Sequence, residues 1–253
     1  MEHGTLETLS RTLRHPDPLQ LRYELEEIVE RRTYLQHGVA VRPGDLVLDA
    51  GANVGAAAAF FATECGAGQV HCFEPVRPIF EVLRENLSGF PACVAHPYGL
   101  ASEAGRASIT FYPSNWAMSG LNADPEADRA EVRAAMLNMG KTADEIEAEL
   151  SGRFATETLD CELRTLSDAL RSEAIERVDL LKIDVEGAER DLLDGIDEGD
   201  WPRIRQVAAE VHRGGEHLSG IVAALEGRGF RVAVDEDEPM RGTSIRMLYA
   251  VRP

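Results

Sequence analysis

The sequence predicts an α/β fold: a mostly parallel central sheet flanked by helices, with N-terminal helices before it and a helical lid inserted into it. Short apolar segments alternate with helix-like segments through residues 38–253, the pattern of β-α-β units. The first apolar segment runs directly into the glycine-containing turn "DAGANVG", and later ones also end in acids. Such strand ends line the ligand crevice of an open parallel sheet.

Residues 1–37 have apolar side chains at helical spacing among charges, as at Leu21, Leu25 and Ile28. The prolines in "HPDP", residues 15–18, interrupt this pattern, so one or two helices are predicted before the core. We therefore expect an N-terminal helical segment that packs on the core as part of a single domain.

The core is expected to begin with the strand 46–48 and to keep a strand-helix alternation to the C-terminus. Further strands are predicted at 69–75, 92–96, 107–112, within "VDLLKIDVEG" and at 206–211, 230–234 and 245–251. Helices are predicted at 56–64, 78–87, 164–170 (with Ser167 as its cap), 188–193 and 218–227. The acidic, helix-favouring stretch 122–155 interrupts this rhythm, and we expect two helices joined at Met139 and Gly140 that form a lid.

Charge and cysteine usage narrow the class of protein. A net charge of −18 disfavours binding to nucleic acid or to an anionic membrane, because phosphates need clustered cations. The four cysteines lack C-x-x-C spacing, which predicts reduced, structural thiols. We see no leader peptide or membrane-spanning apolar run and expect a cytoplasmic location.

The turn after the first strand predicts the ligand. Gly51 and Gly55 allow a tight turn beside a ligand. The dinucleotide pattern G-x-G-x-x-G nevertheless fails, because Asn53 stands where its second glycine belongs, and an NAD enzyme is therefore disfavoured. Glu74 ends the next strand about 20 residues on, from where a carboxylate accepts both ribose hydroxyls. With Asp49 available to face a cationic or amine group, these residues favour S-adenosylmethionine.

Four segments make the resemblance specific: "VLDAGANVG", "CFEPVRPIFEVLRENL", "YGLAS" and "VDLLKIDVEGAERDLLDGI". Together they resemble the FkbM-type family of S-adenosylmethionine-dependent methyltransferases, which has the class I Rossmann-like fold. The resemblance implies methyl transfer, most often to a hydroxyl of a secondary metabolite or sugar. It also implies that Gly51, Asn53 and Gly55 form the cofactor turn, with Glu74 on the ribose. Asp184 is then expected beside the reacting methyl group, and Tyr34 near the methionine end of the cofactor.

Acids and a histidine at two strand ends are the candidates for chemistry. Asp184 and Glu186 lie two residues apart, as do Glu210 and His212. We expect His212, as a neutral imidazole, to be the general base, oriented by Glu210 and acting beside Asp184. The alternative is that Asp184, Glu210 and His212 hold a divalent cation such as Mg²⁺, which lowers the pKa of the acceptor hydroxyl. Lys182 is expected to pair with Asp184.

The acceptor site is expected where the lid meets "FYPSNWAMSG". Apolar, adaptable contacts are predicted there from Trp116, Met118, Met136 and Met139, with Glu186 at the polar end. The resulting prediction is an O-methyltransferase acting on a small hydroxylated natural product, a polyketide or sugar moiety. N-methylation of a small amine and non-catalytic cofactor binding are the alternatives. A carrier-protein-tethered substrate and a homodimer are both compatible with the sequence.

Overall fold

The computed structural model describes residues 2–253, and its centre is a seven-stranded sheet with the order β3-β2-β1-β7-β8-β10-β9. Five neighbouring strands are parallel, and β10 runs antiparallel to both β8 and β9. The strands of this sheet are β1 Leu46–Ala50, β2 Gln69–Phe73, β3 Cys93–His96, β7 Leu180–Ile183, β8 Gln206–Val211, β9 Arg231–Asp235 and β10 Arg246–Val251. The predicted mostly parallel α/β sheet is confirmed.

Helices cover both faces of this sheet, which is why its central strands are mostly apolar, with the buried pair Asp49 and Lys182 as an exception. On one face lie α1 Glu2–Thr12, α2 Pro18–Leu25, α3 Ala56–Thr63 and α4 Arg77–Asn86. On the other face lie α7 Leu166–Ser172, α8 Glu189–Asp194 and α9 Gly214–Glu226. All four side chains of β7 are buried. The carboxyl ends of the parallel strands are left uncovered by these helices.

A second sheet of three strands was not predicted as such. It has the order β4-β6-β5, with β4 Gly99–Leu100, β5 Gly105–Phe111 and β6 Glu157–Arg164. The residues of β6 alternate between polar and apolar, as in a half-buried strand, and the predicted helix 164–170 begins at the last of them. That helix begins at Leu166 with Thr165 as its N-cap, whose side chain accepts from Asp168 N–H. Ser167, predicted to be the cap, is instead buried and accepts from Asp197 N–H.

The N-terminal segment and the insertion form as expected. α1 and α2 are separated at residues 13–17, and Asp17 caps α2. The insertion consists of α5 Pro125–Asn138 and α6 Ala143–Leu150, and a capping box at Thr142 starts α6. The connection passes through Met139 and through Gly140 at a positive φ of 82°.

All four cysteines are free, as predicted. Within residues 2–253, no helix combines the length and the apolar character needed to cross a bilayer.

Gly51 is a residue at which the fold leaves no room for a side chain. Its φ is +73°, in the left-handed region that favours glycine. A Cβ added there lies 1.7 Å from the backbone oxygen of Asp184, so the turn after β1 and the end of β7 are in direct backbone contact. This close approach brings the predicted cofactor turn and the predicted reactive acid together.

We expect Gly51→Ala to lower the free energy of unfolding by about 3 kcal/mol or more, because the methyl group overlaps backbone that cannot move alone. The matched control is Gly44→Ala, since Gly44 has a similar φ of +87° but no atom near its added Cβ. That variant should lose only about 1 kcal/mol from backbone strain. Equal losses in denaturant titration of both variants would contradict the close-approach explanation.

Candidate active site

The turn after β1 is held against the end of β2. The N–H groups of Gly51 and Ala52 both donate to the carbonyl oxygen of Phe73 at 3.1 Å. Asn53 N–H donates to Glu74 Oε2 at 3.1 Å, and Val76 N–H donates to Glu74 Oε1 at 2.9 Å. The Glu74 carboxylate is therefore fixed in place at the strand end.

Two polar groups of this turn are suited to a ligand. Burial raises the pKa of Glu74 to about 7, with the N–H groups of Val76 and Asn53 opposing the rise. Asn53 Oδ1 is buried and finds no hydrogen-bond partner within residues 2–253. A ligand that donates hydrogen bonds to both side chains would offset the cost of burying the Glu74 carboxylate and the cost of the unpaired Asn53 oxygen.

Lys182 connects this turn to the reactive end of β7. Its ammonium donates to the Gly51 carbonyl oxygen at 2.8 Å and lies 3.0 Å from Asp49 Oδ1 and 3.6 Å from Asp184 Oδ2. It also lies 5.2 Å from the ring centre of Tyr34. Burial by itself lowers the pKa of Lys182, but the two aspartates outweigh it and raise that pKa. The expected pairing of Lys182 with Asp184 is present, and Asp49 is the closer partner.

Asp49 and Gly55 lie outside the cavity that the other predicted cofactor residues line. Asp49 is fully buried, and the cationic group that it faces is Lys182 rather than a ligand. Gly55 begins α3 at a φ of +92°, and a Cβ there lies 2.9 Å from the Leu83 side chain. The structure therefore gives Gly55 a role in packing α3 on α4 and Asp49 a role in holding Lys182.

Asp184 follows β7 directly and points toward the N-terminal segment. Tyr34 O–H donates to Asp184 Oδ2 at 2.9 Å, the same oxygen that faces Lys182. Asp184 Oδ2 therefore makes both contacts, one with Tyr34 and one with Lys182. The residue predicted for the methionine end of the cofactor and the residue predicted beside its methyl group are thus hydrogen-bonded neighbours.

His212 lies among carboxylates. Its Nδ1 is 2.9 Å from Glu189 Oε1, whereas its Nε2 is 3.3 Å from Glu186 Oε2 and 3.7 Å from Glu210 Oε1. Glu189 also accepts from Gly187 N–H and lies 3.1 Å from His217 Nε2. The group that orients His212 is therefore Glu189, and not Glu210 as expected. Glu189 lies in the segment "VDLLKIDVEGAERDLLDGI" that carries the family resemblance, but the sequence analysis gave it no role.

The charges of this cluster depend on burial and on one another. Burial lowers the pKa of His212, but Glu186, Glu189 and Glu210 together raise it well above its ordinary value. This shift argues against the predicted neutral imidazole, because three acids within reach favour the protonated ring. Burial, and then repulsion from Asp184, raises the pKa of Glu210, while burial raises that of Glu186 to about 8. Both carboxylates are therefore more basic than exposed ones, and their titration depends on His212.

The same cluster has metal-ligand geometry. One ligand atom each from Asp184, Glu210 and His212 lies within 4.8 Å of the others. The contact between His212 Nδ1 and Glu189 is the carboxylate-histidine arrangement that commonly orients a metal ligand. The structure brings together the three residues that the sequence analysis considered as an alternative cation site.

A cavity of about 580 Å³ joins the turn to this cluster. Its polar end is lined by Gly51, Asn53, Glu74, Lys182, Asp184, Glu186, Glu210 and His212. Its other walls are largely apolar and include Tyr34, Ile109, Trp116, Met118, Val132, Met136, Met139, Met240 and Met247. All five residues predicted to contact the acceptor line this one cavity: Trp116, Met118, Met136, Met139 and Glu186.

The insertion lies over the cavity and is attached on both sides. Asn138 Nδ2 donates to the carbonyl oxygens of Pro239 and Arg241, and Glu131 accepts from Ser244 N–H. On the opposite side Arg153 pairs with Asp17 at 2.7 Å. The insertion therefore spans from the N-terminal helices to the β9–β10 connection.

Comparison with known proteins points to one family. The family model "Methyltransferase FkbM domain" matches residues 49–232. The 31-O-demethyl-FK506 methyltransferase FkbM of Streptomyces tacrolimicus is 39% identical over 243 residues, which cover 95% of this chain and 94% of that protein. Methyltransferase sdnD of Sordaria araneosa is 34% identical over 205 residues, 76% of each chain.

One solved structure supports the fold. The crystal structure of methyltransferase FkbM from Methylobacillus flagellatus KT aligns with a TM-score of 0.52 at 14% identity, covering 98% of this chain and 58% of that one. At this identity the likeness establishes the methyltransferase fold and nothing finer.

We expect Lys182→Met to lower the free energy of unfolding by about 3–5 kcal/mol, because it leaves Asp49 buried without a counter-charge. The control is the chain's other lysine: Lys141→Met removes a partly exposed pair with Glu149 and should cost less than about 1 kcal/mol. Adding Asp49→Asn to Lys182→Met should restore much of the loss in denaturant titration. A double variant that is no more stable than Lys182→Met would contradict the pairing.

Proposed function

Because the chain belongs to the FkbM methyltransferase family, we propose that it transfers a methyl group from S-adenosylmethionine to a hydroxyl of a small natural product. The observation that carries this proposal is the continuous cavity, which is lined both by the turn with Glu74 and by the Asp184–His212 cluster. The Streptomyces relative, named for 31-O-demethyl-FK506, supports an oxygen acceptor. A polyketide or sugar moiety is the proposed acceptor class.

The residues present fit S-adenosylmethionine. The Glu74 carboxylate is placed to accept from the ribose hydroxyls, and Asn53 Oδ1 offers a further unused acceptor. The acids at the polar end of the cavity suit a positively charged ligand. When bound, this cofactor supplies the electrophilic methyl group.

The chain's own contribution is alignment and removal of a proton. A hydroxyl becomes a competent nucleophile as its proton leaves, and a carboxylate with a raised pKa is a stronger proton acceptor than an ordinary one. Glu210 and Glu186 meet that condition and line the cavity. We assign proton acceptance to the ionised form of this pair beside Asp184, with the His212 ring keeping both carboxylates in place. The apolar walls exclude water from the reaction.

A second candidate mechanism uses a divalent cation held by Asp184, Glu210 and His212. Two observations favour it. One ligand atom from each of these residues lies within 4.8 Å of the other two, and Glu189 orients the His212 ring. Mg²⁺ in that position lowers the pKa of an acceptor hydroxyl directly. It also lowers the repulsion between Asp184 and Glu210.

The insertion is proposed to act as a lid over the acceptor. Met136 and Met139 face the cavity from it, and flexible methionine side chains adapt to an irregular apolar ligand. Leu19, Tyr23 and Met139 line the cavity while remaining 40–47% exposed, so they form an apolar rim. A bulky acceptor, free or tethered to a carrier protein, fits such a rim.

The test of the proposed activity is mass-spectrometric detection of methyl transfer from deuterium-labelled S-adenosylmethionine. The acceptor panel contains 31-O-demethyl-FK506, hydroxylated polyketides, sugars and small amines. We expect label on oxygen, and Asp184→Asn to reduce turnover about 10²-fold or more. Asp194→Asn is the matched control, because Asp194 is an exposed acid paired with Arg190. Label found only on amines would contradict O-methylation, and binding without any transfer would favour the non-catalytic alternative.

The same assay after EDTA treatment separates the two mechanisms. Proton acceptance by the carboxylates predicts unchanged turnover. A loss that Mg²⁺ restores, together with calorimetric Mg²⁺ binding that His212→Gln abolishes, would contradict it and favour the cation.

We expect cofactor affinity to rise between pH 6 and pH 8. Burial raises the pKa of Glu74 to about 7, so below this pH the side chain must first lose a proton to accept both hydroxyls. Each pH unit below the pKa should then weaken binding by up to about 10-fold. In calorimetric titration, Glu74→Gln should bind more weakly and lose this pH dependence. Glu186→Gln should retain it, and its disappearance there instead would assign the effect to Glu186.

A further inference from the structure

Two histidines and a glutamate form a second cluster outside the cavity. His71 lies on β2, His96 ends the neighbouring strand β3, and Glu173 follows α7. None of the three lines the cavity described above. His71 shares its face of the sheet with Phe73, which packs on the α7–α9 side.

We propose that His71, His96 and Glu173 bind one transition-metal ion of the Zn²⁺ type. One ligand atom from each of the three side chains lies within 4.8 Å of the others. Ligand atoms around a tetrahedral Zn²⁺ at about 2.0–2.1 Å lie about 3.3 Å apart. The spacing between His71 Nδ1 and His96 Nε2 is 3.0 Å, close to that value. The Glu173 carboxylate, whose Oε1 lies 4.0 Å from the other nitrogen of His96, would turn toward the same ion.

Two of the three ligands are already held in place. The planes of the two imidazoles are 8° apart, with ring centres 5.3 Å from each other, so the rings lie side by side with nitrogens facing. His96 also stacks on Phe73 at 4.8 Å. Glu173 is a partly exposed side chain and can rotate to close the site from solvent. Little ordering of side chains is therefore needed on binding.

The two facing nitrogens, His71 Nδ1 and His96 Nε2, share one proton in the metal-free protein. An ion between the rings would coordinate both of these nitrogens in place of that proton. Each ring would stay neutral, with its own proton on its other nitrogen.

The electrostatics suit a metal with nitrogen ligands. Burial lowers the pKa of His71, and burial together with the neighbouring His71 lowers that of His96 to about 4. Both rings are neutral at pH 7 and retain the lone pairs that metal binding requires. Glu173 adds a negative charge, whereas the positive charge of Arg164 nearby is balanced by Glu162. Imidazole ligands select Zn²⁺ and related ions over Mg²⁺.

Such a site has a structural consequence. The ion would link two neighbouring strands, β2 and the edge strand β3, to the end of α7, which is distant from both in sequence. An ion that binds the folded chain alone stabilises it by mass action. Zinc should therefore raise the midpoint of thermal unfolding without being needed for cofactor binding.

The test uses untagged, metal-stripped full-length protein dialysed against Zn²⁺ alone, with metal analysis and thermal unfolding. We expect saturable binding that Asp184→Asn retains, because that variant alters the other cluster. His96→Gln and Glu173→Gln should weaken it by about 10-fold or more and remove the thermal shift. The matched control is Glu176→Gln, an exposed acid three residues beyond Glu173, which should bind as the wild type does.

Glu173 lies at the surface, so we expect Glu173→Gln to fold even if His96→Gln does not, and the test then rests on Glu173→Gln. The proposal is overturned if wild-type protein binds no Zn²⁺, or if Glu173→Gln and His96→Gln bind it as tightly as wild type. Binding lost only in Asp184→Asn would overturn it in favour of the cavity cluster.

Discussion

The buried ammonium of Lys182 is the contact on which the rest of the site depends. It is only 3% exposed and touches Asp49 at the end of β1, the carbonyl of Gly51 in the following turn and Asp184 after β7. An unpaired lysine at this depth is too costly to bury, so the two aspartates and the carbonyl must converge on it. That convergence fixes the turn and the reactive acid in one arrangement, before any ligand is considered.

Two kinds of surface meet in the cavity, and each has its own role in the proposed methyl transfer. At the polar end, burial raises the pKa of Glu186 and Glu210, so these carboxylates would suit a cationic methyl donor and accept a proton. Along the remaining walls, tryptophan and methionines offer a dry and adaptable surface. In-line methyl displacement depends mainly on aligning the acceptor atom with the methyl group. The polar end would position the methyl donor, and the apolar walls would position the acceptor.

The sequence predicted what depends on local pattern. Strand-helix alternation gave the parallel sheet, and acids after strands gave Asp184 and Glu210, because parallel strands end at one edge. Contacts between residues distant in sequence could not be predicted from local pattern. The partner of Asp49, for example, is a lysine more than 130 residues away. Likewise, the hydrogen bond with Glu189 fixes His212, and three carboxylates favour its charged form. The strand β6 was not predicted although its residues alternate, because its partner β5 lies across the insertion.

The most direct test of this account is calorimetric titration of S-adenosylmethionine into the purified protein, with NAD as the comparison ligand. The account predicts saturable binding of S-adenosylmethionine at one site per chain and no measurable binding of NAD, because Asn53 stands where a pyrophosphate needs a glycine. Absence of S-adenosylmethionine binding, or tighter binding of NAD, would contradict the assignment of the turn and with it the proposed reaction.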